Sequence, residues 1–223
     1  MCGRYTMRAP AAKIAEHFEV DPLPLLEPRF NIAPTQQVAA VRLKHAQPGR
    51  ELVRLRWGLV PSWADDLKIG YKLINARAES AATKPAFRSA FKQRRCLIAA
   101  DGFYEWQKLD AKHKQPFFIH LKSDDPFAFA GLWEHWTAAD GEIVESCSIL
   151  TTEANEVMQP LHDRMPVILP PAEYEAWLNP AAKPPALQEL LRPYSKNDLT
   201  AHPVSTLVNN ARNENPRCVE ELN

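Results

Sequence analysis

Residues 96–121, CLIAADGFYEWQKLDAKHKQPFFIHL, contain three apolar or alternating runs separated by short polar segments. Residues 96–100, 103–109 and 116–121 have the length and the aliphatic or aromatic content of β-strands. The segment LDAKHK between the second and third runs is short enough to close a hairpin. This part of the chain therefore predicts consecutive strands joined by tight turns.

The rest of the chain adds further strands and helices around this region. Two more strand-like runs, residues 127–136 and 143–151, follow the turn signals KSDDP and AADG. Because parallel neighbours need crossover connections of about a dozen residues, the closely spaced strands predict an antiparallel meander. Residues 21–34 carry four prolines and are expected to form a loop. The remaining periodicities predict strands at residues 37–43, 52–57, 166–169 and 200–205 and helices at residues 10–20, 85–93, 171–178 and 186–191.

The length of the chain favours a single domain. Its 223 residues are enough for one sizeable core, and no repeat or linker-like segment divides them. With 20 Pro against 7 Gly, the connections should be stiff and punctuated by proline. We expect one α+β domain over residues 1–223, with a curved, largely antiparallel, barrel-like sheet and peripheral helices.

The balance of charge excludes one way of binding nucleic acid. Lys and Arg number 27 and Asp and Glu also number 27, so the formal net charge is zero. A protein that coats DNA through bulk positive charge is excluded, whereas a local basic groove is not. The N-terminus has no apolar signal region, and no segment approaches the roughly 20 apolar residues of a membrane span. We expect a soluble, cytoplasmic monomer with no membrane partner.

The cysteines and histidines give no metal-binding pattern. The four cysteines are widely spaced, without a C-x-x-C pair, and the seven histidines show no HExxH spacing. No glycine-rich phosphate loop is present either, so no metal and no cofactor are expected. Cys96 and Cys147 lie in apolar runs and should behave as small buried hydrophobes. Core packing is the expectation for Trp57, Trp133, Trp136 and Trp177, and no role is assigned to His113, His120, His135 and His202.

Cys2 has a chemistry of its own if Met1 is removed, as a small second residue generally allows. The mature chain then begins with a free α-amine, whose pKa of roughly 7.7–8.0 leaves a useful nucleophilic fraction at neutral pH. Amine and thiol on adjacent carbons can attack one aldehyde carbon, first as a Schiff base and then as a thiazolidine ring. The thiolate could instead attack a peptide carbonyl. Taken alone, a cysteine at this position is more often incidental.

Four other residues offer the proton transfer, orientation and phosphate binding that such chemistry needs. Glu105, in ADGFYEWQ, should share a strand face with Phe103, an environment that can tune a carboxylic acid. His162, in PLHDRMPVIL, could shuttle protons, a common role of histidine. Asn75 and Arg77, in LINARAES, offer an amide for a sugar and a cation for a phosphate. Each also has an ordinary structural interpretation: a solvent-facing glutamate, a loop histidine, an asparagine in a turn and a surface ion pair.

Seven separated motifs occur in order: MCGRY, PRFNIAPTQ, WGLVPSWA, INARAES, ADGFYEW, HDRMPVIL and HPVS. Together they resemble the SOS response-associated peptidase (SRAP) family over nearly the whole chain. The resemblance implies an α+β domain with a curved antiparallel sheet. It also implies binding of abasic sites in single-stranded DNA and a covalent thiazolidine DNA–protein crosslink through the mature N-terminal cysteine. The family name records a peptidase activity proposed for the same residues.

The resemblance also implies roles for particular residues. Cys2 is the crosslinking nucleophile, Asn75 orients the ring-opened sugar, and Glu105 is the general acid/base. His162 assists ring opening and reversal. The residues expected to contact DNA are Arg4, Arg77, Arg164, Trp63 and Trp106. Ala64 follows Trp63 at a position where some relatives carry a second aromatic residue, which would weaken a stacking platform.

Three functions remain to be separated. The leading hypothesis is an abasic-site sensor that crosslinks itself to single-stranded DNA during the damage response. The alternative is a thiol peptidase or autopeptidase in which Cys2 is the nucleophile and His162 and Glu105 are base and orienter. The third is a single-strand-binding module in which Cys2 has no chemical role. The substrate discriminates among them, because only the first requires both an abasic site and a free α-amine.

Overall fold

A computed structural model describes residues 2–23 and 26–222 of the chain. Met1, whose removal the sequence suggests, lies outside the described residues. The strands are β1 (Tyr5–Met7), β2 (Arg29–Ile32), β3 (Gln37–Leu43), β4 (Arg50–Trp57), β5 (Asn75–Arg77), β6 (Arg95–Ala100), β7 (Gly102–Lys108), β8 (Lys114–Leu121), β9 (Phe127–Thr137), β10 (Ile143–Glu153), β11 (Arg164–Pro166), β12 (Ile168–Leu169) and β13 (Leu199–Pro203).

The helices are short and lie around the sheets. The α-helices are α1 (Ala11–Phe18), α2 (Ala78–Ala81), α3 (Arg88–Gln93), α4 (Tyr174–Leu178) and α5 (Pro184–Glu189). Short 3-10 helices cover Leu67–Lys72, Pro171–Glu173, Thr206–Asn209 and Pro216–Cys218. Pro10 precedes α1. Three side chains of this helix, Ile14, Ala15 and Phe18, are buried on one face. No helix within the described residues is both long enough and apolar enough to cross a membrane.

The strands form two sheets. A five-stranded sheet has the order β13-β8-β7-β1-β2. An eight-stranded sheet has the order β11-β10-β4-β3-β6-β9-β12, and its eighth strand, β5, pairs with β10 outside this order. An additional pairing of β10 with β9 closes the larger sheet into a barrel. Among the described strands, the parallel pairings are those of β10 with β4 and with β5. This architecture confirms an α+β fold with a largely antiparallel, barrel-like sheet.

The predicted antiparallel meander is correct for the pairs β7–β8 and β9–β10 and wrong for the other consecutive strands. Strand β6 pairs with β3 and β9, whereas β7 pairs with β1 and β8, so the chain changes sheet between Ala100 and Gly102. Asp101 anchors this corner, because its carboxylate accepts hydrogen bonds from the Thr6 hydroxyl at 2.6 Å and the Ala9 amide at 2.7 Å. A Cβ at Gly102 would lie 2.2 Å from the Phe118 ring, so only glycine fits there.

Several local predictions also need correction. The expected loop at residues 21–34 contains β2, which pairs with β1, and Pro24 and Leu25 within it lie outside the described residues. The strand expected at 166–169 is divided at Val167, whose amide donates to Leu150 of β10 while its carbonyl accepts from Ala130 of β9. Strands β1 and β5 and helix α2 were not predicted. All three are short elements that depend on tertiary neighbours.

The interior confirms most expectations about burial. Trp57, Trp177, Cys96 and Cys147 are fully buried, and Trp136 is nearly so. Trp133 differs, because it is only partly buried and the Arg42 guanidinium lies 4.3 Å from the centre of its ring. A cation over an indole face stabilises a half-exposed tryptophan, so this residue packs against a surface arginine as well as the core.

Candidate active site around the N-terminal cysteine

Cys2 lies at the start of a segment that runs beside β7. The backbone amide of Tyr104 donates to the carbonyl of Arg4 at 2.9 Å, which extends the antiparallel pairing of β1 and β7 toward the N-terminus. The Cys2 side chain is fully buried in the main apolar cluster, and its Sγ lies 3.9 Å from the Arg4 carbonyl. The pairing with β7 therefore holds the candidate nucleophile inside the domain.

Asn75 connects Cys2 to the barrel. It begins β5, which lies parallel to β10 with Asn75 opposite Ile149. Its Nδ2 donates a hydrogen bond of 2.8 Å to the backbone carbonyl of Cys2. The Asn75 Oδ1 is buried and has no hydrogen-bond partner within the described part of the chain. One end of the amide thus holds the N-terminal backbone, and the other offers an acceptor to a bound group.

Glu105 lies beside Cys2 on the buried side of β7. It is 5% exposed, and Phe103 on the same strand face is fully buried, as the alternation predicted. Burial raises the pKa of the Cys2 thiol to about 12, and the negative charge of Glu105 contributes to this shift. The thiol is therefore protonated at neutral pH, with a carboxylate near enough to influence its ionisation.

His162 lies in a turn that approaches the same strand face. Gln107 is two residues beyond Glu105 on β7, and its Nε2 donates to the carbonyl of Pro160 at 3.3 Å. The His162 Nδ1 accepts from the Arg164 amide at 2.9 Å and lies 2.7 Å from Asp163 Oδ1. The His162 Nδ1 therefore faces one hydrogen-bond donor and one acceptor, so either role of this ring nitrogen has a partner.

The three arginines expected to contact phosphate have different environments. Arg77 is exposed. Arg4 donates to Asn31 Oδ1 at 2.8 Å and to the Val208 carbonyl at 2.7 Å. Arg164 forms a two-pronged ion pair with Glu79, at 2.6 and 2.9 Å. Arg77 is thus the most accessible of the three, whereas Arg4 and Arg164 already have protein partners.

The tryptophans expected to contact DNA lie on different parts of the surface. Trp63 is 58% exposed on the loop between β4 and β5, and the Trp136 indole fixes that loop by donating to the Ala64 carbonyl at 2.6 Å. Trp106 lies on the opposite face of β7 from Glu105, next to the small apolar cluster that contains Tyr104. Trp63 is thus an exposed loop residue, whereas Trp106 directly follows Glu105 but faces the other side of β7.

One exposed aromatic residue was missed by sequence reasoning. Tyr71, on the same loop as Trp63, is 61% exposed, and the Arg56 guanidinium lies 5.6 Å from the centre of its ring. The loop closes where Gly58 and Gly70 meet, since a Cβ on Gly70 would lie 2.6 Å from the Gly58 carbonyl. The two glycines in this segment were the available signal of a close backbone contact.

Asn31 was also missed, although it organises the surroundings of Arg4. It is fully buried, and its Nδ2 lies within hydrogen-bonding distance of the carbonyls of Val208, Asn210 and Asn213, at 3.3, 3.0 and 2.9 Å. These contacts attach the C-terminal segment to β2, which pairs with β1 just after Cys2. An asparagine between the apolar residues of PRFNI was its only signal in the sequence.

The described residues contain no group of three or more His, Cys, Asp and Glu side chains arranged to hold a metal ion. The chemistry available at this site is that of the thiol, the amide, the carboxylate and the imidazole. These groups can supply a nucleophile, an orienting hydrogen bond and proton transfer.

The fold and the site place this protein in a class defined by a mixed, barrel-like sheet. In this class the sheet holds a buried cysteine from the N-terminal segment of the same chain. The chain belongs to the SOS response associated peptidase (SRAP) family, whose model matches residues 1–211. It is 46% identical over 224 residues to the abasic site processing protein YoqW of Bacillus subtilis, covering 99% of each chain.

A vertebrate relative and a solved structure extend this comparison. The chain is 34% identical to the abasic site processing protein HMCES of Xenopus tropicalis, over 88% of this chain and 67% of that one. A crystal structure of a protein from Bacteroides thetaiotaomicron superposes with a TM-score of 0.89 at 26% identity, over 99% of this chain and all of the other. The similarity therefore covers the whole fold.

Proposed function

We propose that this protein recognises abasic sites in single-stranded DNA and forms a covalent crosslink to them through the mature N-terminal Cys2. The observation that carries the proposal is the direct hydrogen bond from Asn75 to the Cys2 backbone, beside the buried Glu105. The names of the relatives, which are abasic site processing proteins, support the same lesion as substrate. We propose that the protein acts as a monomer on DNA in the cytoplasm.

The reaction proceeds in two steps once Met1 has been removed. The α-amine of Cys2 attacks the aldehyde carbon of the ring-opened sugar, and loss of one water gives a Schiff base. The Cys2 thiol then adds to the same carbon, so that a C–S bond forms and the thiol proton passes to the imine nitrogen. The product is a thiazolidine, and the second step is favoured because amine and thiol are attached to adjacent carbons.

The neighbouring residues divide the proton transfers and the orientation of the sugar. Glu105 accepts the thiol proton and returns a proton to the nitrogen or to the departing water. The open Oδ1 of Asn75 accepts a hydrogen bond from a sugar hydroxyl. His162 exchanges a proton with the sugar oxygen during ring opening and during any reversal. Arg164 positions His162 through its backbone amide.

The complete burial of the Cys2 thiol favours the crosslinking reaction over a peptidase. A cysteine protease attacks with a thiolate, which requires a depressed pKa or an adjacent cationic base. Burial instead raises the pKa of Cys2 to about 12, and the charge of Glu105 contributes to this rise. A protonated thiol suits a mechanism in which the amine reacts first and the thiol adds afterwards to an activated imine.

Recognition of the DNA strand relies on a few local contacts. The exposed Arg77 binds a phosphate near the lesion, and we expect Arg4 and Arg164 to contribute less because protein partners hold them. Trp63 stacks on an unpaired base, a contact that tolerates any sequence. The zero formal net charge is compatible with this arrangement, since a covalent bond replaces tight electrostatic binding.

The test is incubation of the mature protein with a single-stranded oligonucleotide that contains one abasic site. We expect a heat-stable adduct whose mass equals protein plus DNA minus one water. Cys2→Ala abolishes the adduct, whereas the control Cys218→Ala retains it. A chain that keeps Met1 also fails to react, because its amine is blocked. An adduct of the same mass with Cys2→Ala protein would refute the proposal, as would equal reaction with DNA lacking the lesion.

A further inference from the structure

The hairpin formed by β7 and β8 extends beyond the sheet to which it belongs. The segment before β1 pairs with β7 as far as Tyr104, and beyond the end of the β13–β8 ladder at Phe117 the Val204 amide still donates to the Pro116 carbonyl. The next pair of the hairpin, Gln107 opposite Gln115, is held by side-chain hydrogen bonds to the Pro160 and Val204 carbonyls. The turn that begins at Lys108 and ends at the opposite Lys114 is therefore the part of the hairpin that lies beyond the neighbouring strands.

Three lysines give this ribbon a concentrated positive charge. Lys108, Lys112 and Lys114 are exposed, and together with Trp106 and Asn209 they line one surface groove. No ion pair joins any of these lysines to a carboxylate of the described residues. The groove contains one acidic residue, Asp110, which already accepts from the Lys112 and His113 amides at 2.7 and 2.8 Å and contacts the His113 ring.

The arrangement of the lysines costs stability. Lys108 and Lys114 are directly opposite each other in the ladder, and like charges at such positions destabilise a hairpin. The charge is thus placed where it weakens the fold, which favours a role in binding an anionic partner.

Trp106 gives the groove an aromatic floor close to the active site. Its Nε1 donates to Asn209 Oδ1 at 2.8 Å, which fixes the ring orientation. Trp106 follows Glu105 directly, and Lys108 is about 10 Å from Glu105 along the strand. A fixed aromatic ring bordered by lysines is the combination that binds single-stranded nucleic acid, with bases on the ring and phosphates on the cations.

We propose that this groove binds the single-stranded DNA next to the lesion, with the lysines of the hairpin on its phosphates and Trp106 on a base. The inference rests on the proposed function for its substrate but concerns a separate surface. It makes the β7–β8 hairpin an arm that holds the strand, while Glu105 acts from the opposite face of β7.

The experiment compares two triple variants of the full-length mature protein. One is Lys108→Gln, Lys112→Gln and Lys114→Gln. The control, Lys92→Gln, Lys122→Gln and Lys183→Gln, removes three exposed lysines outside the groove. Circular dichroism establishes that both fold. Fluorescence anisotropy then measures affinity for a single strand without an abasic site over a range of salt concentrations, and gel electrophoresis measures crosslinking of an abasic strand at limiting protein.

We expect the groove variant to bind the single strand about tenfold more weakly at low salt and its salt slope to fall by about 2, at about 0.7 per lost phosphate contact. The control should match the wild type. An unchanged affinity and slope in the groove variant would overturn the inference, and so would an equal loss on a blunt duplex. If the slope falls but the wild type forms no adduct, the groove stands and the proposed function fails.

Discussion

The side-chain amide of Asn75 donates a 2.8 Å hydrogen bond to the backbone carbonyl of Cys2, 73 residues earlier in the chain. Asn75 belongs to a strand of the barrel, whereas Cys2 precedes a strand of the other sheet. This contact fixes the position of the N-terminal backbone relative to the barrel. In the proposed reaction the amine and the thiol both belong to Cys2, so this hydrogen bond would position both nucleophiles.

Asn75→Asp should slow adduct formation about tenfold, since it replaces a donor to the Cys2 carbonyl with a repelling carboxylate oxygen. The initial rate of crosslinking to an abasic single strand measures the effect. Asn197→Asp, in an exposed turn, is the matched control and should react as the wild type does. An undiminished rate in Asn75→Asp would mean that this contact does not orient the nucleophiles.

Glu105→Gln should lower the pKa of the Cys2 thiol and also slow crosslinking. If Glu105 had no role at the site, its substitution would change neither. Because the charge of Glu105 helps to raise the pKa of the Cys2 thiol, its removal lowers that pKa below about 12 while leaving the burial contribution in place. Crosslinking nevertheless slows by about 10²-fold, because the general acid/base is lost. Cysteine selectively labelled with ¹³C reports the titration by NMR, and Cys96 serves as the internal control. A faster reaction would show that thiolate supply, not proton transfer, limits the rate.

Alkaline pH should destabilise the fold through its buried thiols. Burial raises the pKa of Cys2 to about 12 and also raises that of Cys96, against an ordinary value of 9.0. The unfolded chain therefore loses these protons first as pH rises above about 9. Ionisation of each thiol in the unfolded chain then lowers the free energy of unfolding by about 1.4 kcal/mol per pH unit, until the pKa of that thiol in the folded state is reached.

Urea unfolding at pH 9 and pH 11 measures this loss. Cys2→Ala, which lacks one of the titrating groups, should lose about 2–3 kcal/mol less than the wild type over the same interval. Below pH 8 the thiols are protonated in both states, so the unfolding free energy should not depend on their titration. An identical alkaline loss in the variant would contradict the burial of this thiol.

Asp101→Asn should destabilise the domain by about 2–3 kcal/mol, because the buried carboxylate accepts charge-assisted hydrogen bonds at the corner between β6 and β7. Its partners include the Thr6 hydroxyl at 2.6 Å and Arg8 Nε at 3.1 Å. Urea denaturation gives the free energy of unfolding. Asp65→Asn, at an exposed position, is the control. Equal stability of the two variants would show that Asp101 does not stabilise the corner between β6 and β7.

Trp63→Ala should reduce the affinity for single-stranded DNA by about 1–3 kcal/mol, the value of one base–aromatic stack. Because no cation is removed, the dependence of affinity on salt should stay the same. Anisotropy titrations at several salt concentrations separate the two effects. Ile143→Ala, which truncates another exposed apolar side chain, should bind as the wild type does; a matching loss there would indicate a nonspecific cause.

Much of the local structure was accessible from sequence because it depends on local patterns. Strand β3 was predicted with its observed bounds, Gln37–Leu43, and helix α4 ends at the predicted Leu178. Alternation along β7 placed Glu105 with Phe103 on a buried face. A period of two decides which side chains share a face of a strand, whichever strand becomes its neighbour.

The sequence by itself determined the fold class, the location of most strands and the motifs that single out Cys2, Asn75, Glu105 and His162. Only the tertiary structure decided that β6 and β7 lie in different sheets, that Asn75 holds Cys2, and that Glu79 already pairs with Arg164. The physical reason is the range of the interactions. Alternation and turn residues act over a few positions, whereas strand partners and buried hydrogen bonds join segments far apart in sequence, where many pairings satisfy the same local pattern.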